Sequence, residues 1–412
     1  VPNGWTGGQY SVYRALLGAY LLIHFVGLLP WSAELFSSRG LLPASASPFL
    51  RIFPNLLAVS DAPAVAVGLI VMGALGSLFL LIGWFDRVGA LAAWYVLACL
   101  FGRNPLILNP ALPFVGWLLL VHAVLPAAPY GSWAAAGRSD PRGAWSMPPA
   151  LLAAAWVVMC VGYSYSGYTK LVSPSWVDAS AMERVLSNPL ARPGVLRTAL
   201  LALPDPFLRL ASWSALGMEL AYAPLALFRR LRPWIWLAMV GMHVGLMALV
   251  SFAELSLGMI LLHLFTFDPA WVRGRFRERK DLVLYDGTCG LCHGATRFLL
   301  SEDRPARAFA FAPLQGTTTE AEIPATVRAG LPDSIVVKTE GGEILTRWDA
   351  VLYLLARLGG FWRAIGASLR LVPRVLGDQV YDAVARTRYR IFGREKNACP
   401  MLPPDLRARF LP

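Results

Sequence analysis

Long apolar runs separated by polar breaks fill the first 268 positions, and shorter alternating runs fill the rest. A membrane-spanning helix needs about 20 mostly apolar residues. Eight stretches approach that length: about 10–29, 63–84, 88–103, 106–126, 148–168, 207–228, 233–251 and 253–268, of which the third and last are short. Two longer polar stretches, 30–62 and 169–206, are rich in Pro and Ser and suit re-entrant or interfacial pieces. After position 280 the period changes. "DLVLYDG" (281–287) is an apolar run ending in a turn, which predicts a buried strand. "HGATRFLLSEDRP" (293–305) has helical spacing through Ala295, Phe298 and Leu299. "AFAFAPL" (308–314), "DSIVVKT" (333–339) and "EILTRW" (343–348) predict further strands, and "DAVLYLLARLGG" (349–360) an amphipathic helix ended by glycine. The expected fold class is multi-domain: an α-helical transmembrane bundle of about eight helices at 1–275, then an α/β domain at 281–400.

Charge sharpens that division. Charged residues make up 15% of the chain, against about a quarter in ordinary soluble domains. Residues 1–268 hold 15 Lys/Arg and 10 Asp/Glu, whereas 269–412 hold 22 and 15. The boundary falls near "VRGRFRERKD" (272–281). A formal net charge of +12 invites a nucleic-acid partner, but membrane proteins gather Lys/Arg on cytoplasmic loops and become basic for that reason alone; no nucleic acid is expected. With both termini cytoplasmic, the inner segments carry Arg14, Arg87, Arg138, Arg142, Arg229, Arg230, Arg232 and the "RGRFRERK" cluster. That bias predicts an integral protein of a bacterial inner membrane, with its C-terminal domain cytoplasmic and Lys170 at the outer boundary. No cleaved signal peptide is expected, because the first residues lack a charged n-region and a cleavage site. Five cysteines are too few and scattered for a secreted disulfide framework. Cys99 and Cys160 lie in apolar runs and read as packing residues.

Polar groups inside a bilayer are costly and mark candidate sites. The apolar part holds His24, Asn104, Asn109, His122, Lys170, Glu219, His243, Glu254 and His263; for any one alone, pairing across helices is the simpler role. In "CVGYSYSGYTKLVSPSW" (160–176), Lys170 falls on the last turn of a helix, before Pro174 and Trp176. A lysine there satisfies the last carbonyls and the helix dipole; half-buried, it can also lose its proton and act as a base. "YSGYTKLVSPSW" resembles a segment of the vitamin K-dependent gamma-carboxylases and their HTTM membrane relatives. "RNPLILNP" (103–110), "MEL" (218–220), His243 and "LFTFDPAW" (264–271) follow in matching order, over roughly 1–275. The resemblance implies that Lys170 deprotonates a reduced, vitamin K-like quinone, supported by Asn104, Asn109 and His243. The lumenal domain with which the carboxylases hold their protein substrate has no counterpart here. A quinone, membrane lipid or other small apolar partner is therefore expected in place of a protein glutamate.

"LYDGTCGLCHG" (284–294) sets Cys289 and Cys292 three apart in a strand-to-helix turn. The helix dipole and free N–H groups at such a position stabilise a thiolate. One thiol attacks a disulfide and the other closes the ring. Strand, C-x-x-C, helix and later strands suggest a thioredoxin-like domain. "CGLCH" also satisfies the c-type haem attachment pattern, and a zinc site or an inactive dithiol are further alternatives. A zinc site needs about four ligands, for which only Cys289, Cys292, His293 and distant Cys399 stand available; no metal is expected. Cys399 reads either as a third redox thiol or as a tail residue. "YDGTCGLC", "APLQG", "PDSIVV", "LGGFWR" and "RYRIFG" together resemble the DCC family of thiol–disulfide oxidoreductases over about 281–400. The resemblance implies a thioredoxin-like fold with a redox-active dithiol, Cys289 as nucleophile and Cys292 as resolving thiol, acting on a protein or small-thiol partner. Asp286 belongs to the motif, for proton transfer from Cys292 or for capping the turn. The basic, amphipathic segment 361–396 suits either packing on the core or contact with anionic lipid. The expected function is a membrane-integral thiol–disulfide oxidoreductase. The alternatives are quinol-dependent oxygenase or carboxylase-like chemistry at Lys170, and a lipid- or quinone-binding anchor for the redox domain.

Overall fold

The computed structural model describes residues 3–107, 109–127, 143–272, 280–303, 308–332, 335–393 and 404–412 of the 412-residue chain. Cys399, Arg138, Arg142, most of the basic cluster at 273–280 and the Asp-Ser of "PDSIVV" lie outside the described residues. The chain forms two compact units. One comprises Val12–Leu125 and Pro148–Phe267; the other comprises Val1–Ser11, Pro126–Met147 and Asp268–Pro412.

Helices lie on all eight apolar stretches: Gly7–Leu28, Pro63–Ile82, Asp86–Arg103, Leu112–Val124, Pro149–Leu171, Asp205–Leu227, Arg232–Leu249 and Ala253–Thr266. Several open with proline in the first turn, where its missing N–H costs nothing. Pro63–Ile82 closes on Gly83 at φ 72°, a left-handed position that suits glycine. That helix packs closely on Asp86–Arg103, and a Cβ on Gly89 would meet the Gly76 carbonyl oxygen at 2.4 Å.

Among the described residues, four helices are long and apolar enough to cross a membrane: Gly7–Phe36, Pro63–Ile82, Pro149–Leu171 and Arg232–Leu249. The helices on the other apolar stretches fall short in length or apolarity, so about eight spans are not shown. Leu112–Val124 and Ala253–Thr266 have 13 and 14 residues, or about 20 Å at 1.5 Å per residue, short of a hydrocarbon layer of about 30 Å. Asp86–Arg103 carries Asp86, Arg87 and Arg103, and Asp205–Leu227 carries Asp205, Arg209 and Glu219. The two Pro/Ser-rich stretches hold short helices, among them Ser32–Phe36, Leu56–Val59, Pro174–Val177, Ala181–Ser187 and Val195–Leu201. Buried Arg103 ties the first stretch together through the Leu42 and Ser37 carbonyls and Asp61.

In the other unit, β1 (Asp281–Tyr285), β2 (Phe309–Pro313), β3 (Val336–Lys338) and β4 (Ile344–Thr346) form one sheet in the order β2-β1-β3-β4. β1 runs parallel to β2 and antiparallel to β3, which pairs antiparallel with β4. The β1–helix–β2 crossover is the helix Gly290–Glu302. All five β1 residues are buried because both faces of the strand are covered. Val283 and Tyr285 face one core with both cysteines, Leu299, Phe309 and Phe311. Leu282 and Leu284 face another with Ala312, Ile323 and Val336. Asp281, fully buried at the strand start, pairs with Arg357 at 2.5 Å and accepts from Tyr353 and the Glu340 amide. Segment 361–396 supplies most of Gly360–Leu369 and the whole of Arg374–Phe392. The first residues of the chain also pack here: the Glu302 carboxylate accepts from Thr6 Oγ1, the Gly8 amide at 2.9 Å and Trp362 Nε1 at 2.6 Å.

Candidate functional site

The turn after β1 is built by Asp286. Its Oδ1 accepts from the Thr288 amide and hydroxyl, both at 2.9 Å, while its backbone carbonyl accepts from the Cys289 amide at 3.3 Å. That turn delivers Cys289 to the N-cap of Gly290–Glu302, in extended conformation at φ −98° and ψ 121°. Cys292 follows in the first helical turn. Both are free thiols. His293 donates from Nε2 to the Gly287 carbonyl at 2.9 Å, which fixes the other side of the turn. Among the described residues, no three His, Cys, Asp or Glu side chains are grouped to hold a metal.

The helix start leaves neither thiol open to solvent. Cys289 is 0% exposed and Cys292 3%. The cover comes partly from the far end of the unit. Tyr389, on Arg374–Phe392, packs against the core that holds both cysteines, and the Gly393 carbonyl accepts from the Gly290 amide at 3.4 Å. Tyr389 donates its hydroxyl proton to Asp286 Oδ2. Arg388 Nη2 lies 3.5 Å from the same oxygen and donates to Tyr389 Oη at 2.8 Å.

These contacts fix charge. Burial pushes the Cys292 thiol up, and the neighbouring Cys289 sulfur and Asp286 carboxylate add to the shift against a hydrogen bond from the Asp286 backbone. Burial alone would raise the Asp286 carboxyl, but hydrogen bonds from Tyr389 and Thr288, with the Arg388 charge, hold it below the usual carboxylate range. Burial and the bond to Asp286 raise the Tyr389 phenol. Arg388 and Tyr389 carried no assigned role in the sequence, although both lie in the quoted "RYRIFG"; their distance of about 100 positions from the dithiol hid the contact.

In the helical unit, Lys170 sits on the last turn of Pro149–Leu171. Its Nζ pairs with Glu219 at 2.6 Å, donates to Ser166 Oγ at 2.8 Å and lies 4.9 Å from the centre of the Trp176 ring. His243 bonds through Nε2 to Tyr163 Oη at 2.9 Å, and the same oxygen lies 2.6 Å from His263 Nε2. Asn104 donates to the Leu35 carbonyl and accepts from the Leu106 amide. Asn109 accepts from the Ala111 amide and lies 3.5 Å from Tyr20 Oη. Neither asparagine bonds Lys170 or His243; both hold local chain geometry.

Residues 283–394 match the family described as DCC1-like thiol-disulfide oxidoreductase. The uncharacterized protein YuxK of Bacillus subtilis is 35% identical over 135 residues, 32% of this chain and 93% of that protein. A chloroplastic DCC family protein of Arabidopsis thaliana is 32% identical over 120 residues, 28% of this chain and 67% of that one. No solved structure matches the chain.

Proposed function

Through its C-terminal domain this chain belongs to the DCC1-like thiol-disulfide oxidoreductase family, and from that premise we propose that it is a membrane-integral thiol–disulfide oxidoreductase acting through Cys289 and Cys292. The observation that carries the reading is the pair of free thiols at the start of the β1–β2 crossover helix. Cys289 stands at the N-cap position of that helix, and its side chain makes no capping hydrogen bond. Cys292 sits one turn on, where burial and its neighbours favour the thiol. This asymmetry suits Cys289 as the attacking sulfur. It bonds to one sulfur of a substrate disulfide and displaces the other as a thiolate. Cys292 then gives up its proton, attacks Cys289 and releases the second thiol, leaving a Cys289–Cys292 disulfide.

Asp286 is given two tasks in this reading. It clasps the turn through Thr288, and its negative charge adds, after burial and the Cys289 sulfur, to what holds the proton on Cys292. The β2-β1-β3-β4 order, with a parallel crossover and an antiparallel pair, supports a thioredoxin-like assignment. The four long apolar helices support membrane integration, and the Lys/Arg distribution supports a cytoplasmic redox domain. Thiol counting tests the chemistry. Reduced protein treated with a stoichiometric disulfide should lose two titratable thiols and gain an intramolecular bond between Cys289 and Cys292, identified by peptide mass. Full retention of both thiols in folded protein would remove the reading.

A further inference from the structure

A cavity of about 620 Å³ is lined by Arg347, Asp382, Arg386, Arg388 and Tyr389 among others. Its volume is that of a small-molecule site. Tyr389 connects it to the cysteines, since the residue lines the cavity, packs on the core that contains both thiols and donates to Asp286. Three lining residues are cationic. Arg388 faces the Asp286 carboxylate, and Arg347 pairs with Asp382 at 3.2 Å. Arg386 donates its Nε to the Asp382 backbone carbonyl at 3.3 Å and has no carboxylate partner among the described residues. Arg347 takes φ 52°, a left-handed conformation uncommon outside glycine that tends to gather at functional sites. It turns the chain out of β4 and into Arg347–Leu358, at the cavity edge.

We infer that this cavity binds the substrate of the dithiol, and that the substrate is a small disulfide carrying carboxylates, held by Arg386 with Arg347 at the rim. The inference rests on the dithiol reading above. A cavity of this size fits a low-molecular-weight disulfide, and the unpaired guanidinium selects a negative charge. Neither sulfur lines the cavity; Tyr389, which lines it and packs on the core that holds both sulfurs, would have to move for the sulfurs to meet. The redox step balances within the two partners. Cys289 bonds to one substrate sulfur as the substrate S–S bond breaks. Cys292 then displaces that sulfur, so the chain is oxidised to a disulfide and the substrate is reduced to two thiols.

The test is single-turnover oxidation of the reduced full-length protein by three small disulfides of similar reactivity: glutathione disulfide (anionic), bis(2-hydroxyethyl) disulfide (neutral) and cystamine (cationic). The wild type should react about tenfold faster with the anionic than with the cationic compound, and the ratio should narrow in 1 M salt as the charge is screened. Arg386→Glu should bring the ratio to about one or below, and Arg386→Lys should keep most of it. Equal rates with all three compounds in the wild type, or an unchanged ratio in Arg386→Glu, would overturn the inference. Reaction with a protein disulfide but with none of the three compounds would also overturn it while leaving the dithiol chemistry standing. No reaction with any disulfide would remove the dithiol reading itself.

Discussion

Cys292 is held as a thiol by burial first and by the sulfur of Cys289 second. Replacing Cys289 with serine removes the second cause and leaves the first. In Cys289→Ser, thiolate absorbance near 240 nm should therefore show Cys292 titrating above the ordinary cysteine value of about 8.5. The sign for stability follows. A folded pKa raised above the unfolded one gives stability that is complete below about pH 8.5 and declines as pH rises toward the folded value. A midpoint at or below about 8.5 would contradict the burial of this sulfur. At this scale the sequence made the chemistry legible but not its cover. Two cysteines three apart after an apolar run announce a dithiol at a helix start. Nothing local announces Tyr389 or Arg388, which reach Asp286 from about 100 positions away. Lys170 repeats the lesson, because its ion-pair partner Glu219 lies 49 positions on.

Elements were more legible than residues. All eight apolar stretches are helical, since length and hydropathy act locally and helix formation needs no distant partner. Strand positions were legible for a similar reason: β1 to β4 fall within the four runs whose ends carry turn residues. Sheet order was not, because pairing depends on which edges meet after folding. The docking of the N-terminal segment was invisible too, as Thr6 and Glu302 stand 296 positions apart. That contact makes a prediction for the dithiol helix, whose last residue is Glu302. Its buried carboxylate serves Thr6, Gly8 and Trp362. Glu302→Ala leaves these buried donors without that acceptor and should cost about 3 kcal/mol, read as a lower melting temperature followed through tryptophan fluorescence. Glu302→Gln keeps an acceptor oxygen and should lose less. Equal melting of wild type and Glu302→Ala would show that the docking adds no stability.

For the whole molecule, composition separated an apolar part from a charged one near residue 272. It could not show that the described residues 3–11, 126–127 and 143–147 group with the charged part, because long-range packing leaves no local compositional mark. The proposed membrane orientation is open to a labelling experiment. Val195 and Glu320 are exposed; in a cysteine-free background, Val195→Cys should react with an impermeant maleimide in intact cells, and Glu320→Cys only after lysis. Labelling of both in intact cells would place the redox domain outside. The central claim is that Cys289 attacks and Cys292 resolves. Its most direct measurement is mass spectrometry of the folded full-length variants after mixing with a disulfide substrate. Cys292→Ser should accumulate a mixed disulfide on Cys289, stable because nothing displaces it, and Cys289→Ser should accumulate none. Adduct on Cys292 in the Cys289→Ser protein, with none on Cys289 in Cys292→Ser, would reverse the roles and contradict the account.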